Sequence, residues 1–235
     1  MEQTSQHTSI SPKIVLFVGV LAVSTASIFI RFAQAEASSL TIAAYRLGLA
    51  TLIMAPFALR RSLDEIRRLT RIQVGLVIAS GAFLAVHFAT WITSLEYTSV
   101  ASSAVFVTTD PLWVALLSPL LLREKLTRPV ILGLAITLIG GIVVAFSDVC
   151  TGGTGGLTCP SLAGFFTGRA ALGNLLALIG AWMAAGYLMI GRRARAGMSL
   201  LAYTFLVYGI SAVLLIILAL VMHAPFWGFS PVICV

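Results

Sequence analysis

Four side chains able to do chemistry lie inside the most apolar parts of this 235-residue chain: Arg46, His87, Trp91 and Asp110. A charged group at the centre of a bilayer costs roughly 3 kcal/mol on insertion scales, so one that persists there usually faces a cavity or a partner. Asp110 sits in VFVTTDPLWVALLSPLLLREKLT, about 12 residues and hence about 18 Å into its apolar segment at the helical rise. Its carboxylate could contact a ligand or carry a proton, with Thr109 beside it; the structural alternative is a hydrogen bond to a neighbouring helix. Pro111 follows directly. It lacks an N–H and presses its ring toward the carbonyl of Val107, so the spacing predicts a helix break whose freed acceptors need partners. In membrane proteins such breaks are tolerated where they line a cavity; a packing kink is the plainer reading.

Arg46 lies about 9 Å inside its own segment. It can turn inward to an anionic ligand or to Asp110, or snorkel to the interface. His87 is the histidine inside an apolar segment, and histidine is the side chain that changes charge nearest neutral pH; a hydrogen-bonded packing role is the alternative. Trp91 could stack on a planar or cationic ligand or belong to an interfacial aromatic belt. Ser80, His87, Trp91 and Ser94 recur at spacings that place them on one helical face. Ser24, Ser27 and Arg31 share a face of the first segment, and Asn174 and Trp182 occupy a later one, although serine in membrane helices commonly serves close packing. Gly133, Thr137 and Gly141 form a small-residue ladder, and Glu124 sits between Arg123 and Lys125 at a segment end.

No catalytic constellation accompanies these residues. His7, His87 and His223 are far apart, TGGTGG lacks the lysine of a phosphate-binding loop, and the lysines Lys13 and Lys125 exclude a Schiff base in a late helix. No enzyme activity, cofactor or metal is expected. Cys150 and Cys159 flank TGGTGGLT in a predicted outer loop, where an oxidising exterior permits a disulfide; two free thiols are the alternative.

The elements that must hold these residues are helices in a membrane. With 59% hydrophobic and 10% charged residues the composition excludes an ordinary soluble domain. Stretches of about 20 apolar residues are predicted near 14–34, 40–59, 73–95, 98–122, 129–147, 171–191 and 199–222, seven spans of an all-α polytopic protein. All of the 15 Lys and Arg except Arg31, Arg46 and Arg169 fall at the N-terminus or in alternate loops, so the net charge of +7 reads as a topology signal rather than a nucleic-acid surface. The positive-inside rule then places the N-terminus in the cytoplasm. Lys13, the apolar run and Ala33-Gln34-Ala35 also resemble a cleavable signal peptide, but the run is longer than usual and retention as a first span is expected.

SLTIAAYRLGLATLIMAPFAL aligns weakly with SLLAYTFLVYGISAVLLIILAL, bringing Tyr45 onto Tyr203 and Arg46 onto Thr204. Spans two and seven run in opposite directions, as an inverted repeat with five helices per copy requires. Together with SLEYTSVASSAVFVTTDPLW and LLLREKLTRPVILGLAITLIGGIVV, in which Pro111, Glu124, Lys125, Thr127, Gly133, Gly140 and Gly141 stand at motif positions, the chain resembles the EamA-type transporters of the drug/metabolite transporter superfamily. That resemblance implies a ten-helix fold of two inverted five-helix repeats, and seven spans here leave three unaccounted for. The expected organisation is a cytoplasmic tail 1–13, a first repeat 14–147, a Gly-rich extracytoplasmic loop 148–170 and a partial second repeat 171–235. The resemblance implies secondary transport, by alternating access and most often export, of a small organic metabolite across an inner or plasma membrane. A truncated, non-transporting membrane paralogue or subunit is the alternative. Apart from substrate and lipid bilayer, a homodimer is compatible with this reading and no nucleic-acid partner is expected.

Overall fold

A computed structural model of the chain describes residues 11–121, 126–153, 156–158 and 168–229. Its helices are α1 (Pro12–Ala33), α2 (Ser39–Arg61), α3 (Leu63–Arg67), α4 (Arg71–Ser94), α5 (Val100–Val107), α6 (Asp110–Leu121), α7 (Arg128–Val149), α8 (Arg169–Ala194) and α9 (Leu200–Val221). Strands β1 (Thr151–Gly153) and β2 (Gly156–Thr158) pair antiparallel, Thr151 opposite Thr158. Each expected span has a helix at its place. Six described segments are long and apolar enough to cross a membrane, Val100–Pro119 counted across the α5–α6 break, and α7 adds an apolar run over its described part, Arg128–Val144. The fold is thus a polytopic bundle whose regular structure among the described residues is helical apart from the small β pair. Glu124 and its basic neighbours lie outside the described residues.

Local chemistry sets the helix ends. The side chains of Ser38, Ser99 and Ser199 accept from the backbone N–H groups of Thr41, Ser102 and Ala202, and Thr70 forms a capping box with Gln73. Each cap satisfies a donor that has no partner inside its helix. Ser199 also meets α3, a short helix between the second and third predicted spans: its hydroxyl donates to Glu65 Oε2 at 2.8 Å, and its backbone N–H donates to Glu65 Oε1. Gln73 Nε2 donates to the carbonyl of Ala196 at 3.2 Å alongside. Ser199→Ala is expected to lower stability by about 1–2 kcal/mol, read as a fall in Tm by scanning fluorimetry in detergent; an unchanged Tm would refute the tie.

α4 forms the centre, packed along α8 and against α9, which in turn packs on α2. Close approach comes from small side chains. Ala177, Gly180, Ala181, Ala184 and Ala185 are buried on α8, and a Cβ added at Gly180 would lie 3.3 Å from both Thr90 Oγ1 and Trp91 Cβ. Without a hydrophobic drive between helices in lipid, such surfaces gain their stability from dispersion contacts at short range. The large apolar side chains of α1, including Leu16 and Phe17, together with Leu52, Ile53 and Ile139, remain exposed, as a lipid-facing surface requires.

The end of the bundle opposite Glu65 is tied differently. Arg31 Nη1 donates to the carbonyl of Leu95, Gln34 Nε2 donates to that of Ile92 at 2.7 Å, and Ser39 donates to Glu96. Thr98 Oγ1 donates to Asn174 Oδ1 at 2.8 Å, joining the α4–α5 turn to α8, and Arg169 lies over the Tyr97 ring at 5.6 Å. The chain beyond α9 folds back onto α2: Thr41 Oγ1 donates to the Pro225 carbonyl at 2.9 Å and the Tyr45 hydroxyl to that of Phe226 at 2.6 Å. Cys150 is in a disulfide; Cys159, its expected partner, lies outside the described residues.

Candidate functional site

The break at Asp110 is sharper than a proline kink in a continuous helix. α5 stops at Val107 and α6 starts at Asp110, so Pro111 occupies the first turn of a new helix, where its missing N–H leaves no intrahelical bond unmade. Thr108 and Thr109 bond back onto the last turn of α5. Thr108 Oγ1 donates to Ala104 O at 2.7 Å, and Thr109 Oγ1 donates to Phe106 O at 2.6 Å while accepting from Trp113 Nε1 at 3.2 Å. Thr109 is buried, and the single hydrogen of its hydroxyl is committed to the Phe106 carbonyl. Asp110, half-buried at the positive end of the α6 dipole, lines a hollow of about 350 Å³ with Pro111, Val114, Ser118, Thr127, Val130 and Leu188.

A second cluster gathers the other predicted residues. Arg46 reaches from α2 across α4, its guanidinium carbon 5.3 Å from the Phe88 ring centre and 5.6 Å from that of Trp91. His87 stacks on Trp91 at 5.7 Å and 23°, and meets Phe88 edge-on at 4.9 Å. Its Nδ1 lies 2.8 Å from the Gly180 carbonyl. A carbonyl only accepts, so Nδ1 carries the hydrogen and fastens α4 to α8. Tyr208 of α9 and His87 both lie within electrostatic reach of Arg46. A cation over aromatic faces gains on the order of 1–2 kcal/mol when shielded from water, so Arg46 has a held position inside the bundle rather than snorkelling freely.

The structure therefore joins Arg46, His87 and Trp91, and separates them from Asp110. Among the described residues no carboxylate pairs with Arg46, so the Arg46–Asp110 pair weighed from depth alone does not form. Ser24 is remote as well: it is exposed on α1 and its hydroxyl donates back to the Val20 carbonyl at 2.8 Å. The face through Ser80, His87, Trp91 and Ser94 turns into the protein, with Ser80 bonded to the Tyr203 hydroxyl and Ser94 to the Trp91 carbonyl and Ser103. Trp182 packs edge-on against Trp113 at 5.0 Å. Phe88 and Tyr208 were not singled out in advance. Phe88 lies three residues before Trp91 and so on nearly the same face, a spacing that could have flagged it; Tyr208 depends on how α9 docks, which no local pattern encodes.

Apolar helices with lipid-exposed flanks, small-residue seams and ionisable groups held inside the bundle define a multi-pass membrane protein. The model of the EamA-like transporter family matches residues 11–146, more than half the chain, and the chain belongs to that family. No curated protein and no solved structure matches it.

Proposed function

We propose that the protein is a secondary transporter of a small organic metabolite, working by alternating access in a cytoplasmic membrane, with its N-terminus in the cytoplasm and export as its direction. Family membership supplies the class. The observation that carries the site is Arg46, held on the rings of Phe88 and Trp91 with no carboxylate partner among the described residues. A membrane interior does not keep an unpaired guanidinium without cost, and ligand contact is the function that offsets it. In support of the orientation, the ties of Glu65 to Ser199 and of Gln73 to Ala196 gather Arg60, Arg61, Arg67, Arg71, Arg192 and Arg193 at one end of the bundle. The proposed architecture is a first five-helix repeat through residue 147 followed by helices of a second. Coupling to the proton gradient through Asp110 is the finer part of the reading.

Reconstitution into liposomes tests it. A panel of labelled metabolites should include at least one whose flux exceeds that of empty liposomes, and Arg46→Ala should lower that flux tenfold or more, about 1.4 kcal/mol of lost stabilisation. Flux that is equal in Arg46→Ala and the unaltered protein would remove the site from the mechanism.

A further inference from the structure

The Arg46 cluster is unbalanced in a way that specifies its ligand. Arg46 offers five N–H donors, and among the described residues none of them has a hydrogen-bond acceptor. On the ring it covers, Trp91 Nε1 is a buried donor that likewise has no partner, in a side chain only 6% exposed. Buried donors of this kind nearly always find an acceptor in a working protein. Here the unmet groups of the cluster are donors, one of them permanently cationic. His87 Nδ1, the nearby donor that does have an acceptor, spends it on Gly180. A second cation is disfavoured there by the charge of the guanidinium itself, which lies 5.3 Å and 5.6 Å from the Phe88 and Trp91 ring centres.

We infer that Arg46 and the Trp91 indole N–H form an anion subsite for an oxyanion, above all a carboxylate, carried on a flat apolar body that packs against Phe88 and His87. This rests on the transport reading only in taking the cluster as the substrate's place. Guanidinium matches a carboxylate with two parallel hydrogen bonds. The indole N–H adds a third donor, and the neighbouring aromatic rings favour a planar apolar body over a strongly hydrated one. The same chemistry could be met by a soluble organic acid or by an anionic lipid headgroup, and the test separates the two.

Thermal shift of the purified full chain in neutral detergent, titrated with benzoate, benzamide and benzylamine, reads the charge preference on one scaffold. Benzoate should raise Tm in a saturable way while benzamide and benzylamine leave it unchanged. Arg46→Gln should weaken the apparent benzoate affinity at least tenfold, and Trp91→Phe, which keeps the ring and removes the donor, about three- to tenfold, the range of one hydrogen bond. An Arg46-dependent shift given by phosphatidylglycerol micelles instead of benzoate would keep the anion subsite and assign it to lipid. Equal responses to all three probes, or an undiminished benzoate response in Arg46→Gln, would overturn the inference. Liposome flux separates it from the transport reading: a benzoate response without flux removes transport and leaves the subsite. Flux of neutral or cationic solutes with no benzoate response does the reverse.

Discussion

Gly81→Leu is expected to destroy the bundle as a monodisperse species in detergent, whereas Gly48→Ala is expected to leave it intact or slightly more stable. A Cβ at Gly81 would stand 2.6 Å from Ile210 Cγ2, 2.8 Å from Ile210 Cβ and 3.3 Å from the Val207 carbonyl oxygen. Turning χ1 of Ile210 moves Cγ2 but not Cβ, which the α9 backbone fixes, so the helices must separate. Separation also strains Ser211, whose hydroxyl lies 2.7 Å from the Gly81 carbonyl and 2.8 Å from that of Val207. Overpacking alone costs about 1–3 kcal/mol, and losing the hydrogen bond adds about 1 kcal/mol. Gly48 has nothing within 4 Å of the same added atom, so alanine there only recovers helix propensity, up to about 1 kcal/mol. Size-exclusion profiles and Tm measured side by side decide the matter; a Gly81→Leu protein that melts with the parent would show that α4 and α9 do not meet as described.

Asp110→Leu should give the opposite pair of outcomes: a protein that is more stable and does not transport. The carboxylate stands in a hollow otherwise lined largely by apolar side chains, with no cationic partner among the described residues. Replacing it by leucine removes a group that insertion scales penalise by about 3 kcal/mol at mid-membrane. Half-exposure and the α6 dipole, worth about 0.3–1 kcal/mol, reduce the expected gain to about 1–2 kcal/mol. If that stability is what function gives up, gradient-driven flux should vanish in Asp110→Leu. In Asp110→Asn it should lose its dependence on the pH gradient while downhill exchange persists. Gradient-driven flux surviving in both variants would reduce Asp110 to a structural role.

Much of this fold was legible without coordinates because a bilayer imposes one rule, some 20 apolar residues per crossing, and seven stretches obey it. The break in span four was legible for a similarly local reason, since proline lacks a donor wherever it stands. What the local rule missed was its form. Pro111 opens a new helix, and Thr108 and Thr109 bond back to α5 instead of facing a cavity. α3 is only five residues long, too short for periodicity to register, and its Glu65 meets Ser199 at the start of α9, a contact between residues far apart in sequence. The site was half legible: depth marked Arg46 and Asp110 as costly, but depth has no azimuth. Whether the two meet depends on how each helix is rotated, and packing turned Arg46 toward Phe88 and Trp91.

The seam between α4 and α8 has a mechanical consequence. Its α8 side is made largely of glycine and alanine, so the two helices approach closely and the Phe83 ring of α4 seats against Gly186. Hydrogen bonds tie the pair at both ends and between: Thr98 on Asn174 at one end, Gln73 on Ala196 at the other, with His87 on the Gly180 carbonyl and Ser80 on that of Tyr187 between. Small side chains thus set the distance between the two helices, and hydrogen bonds along the seam set their register.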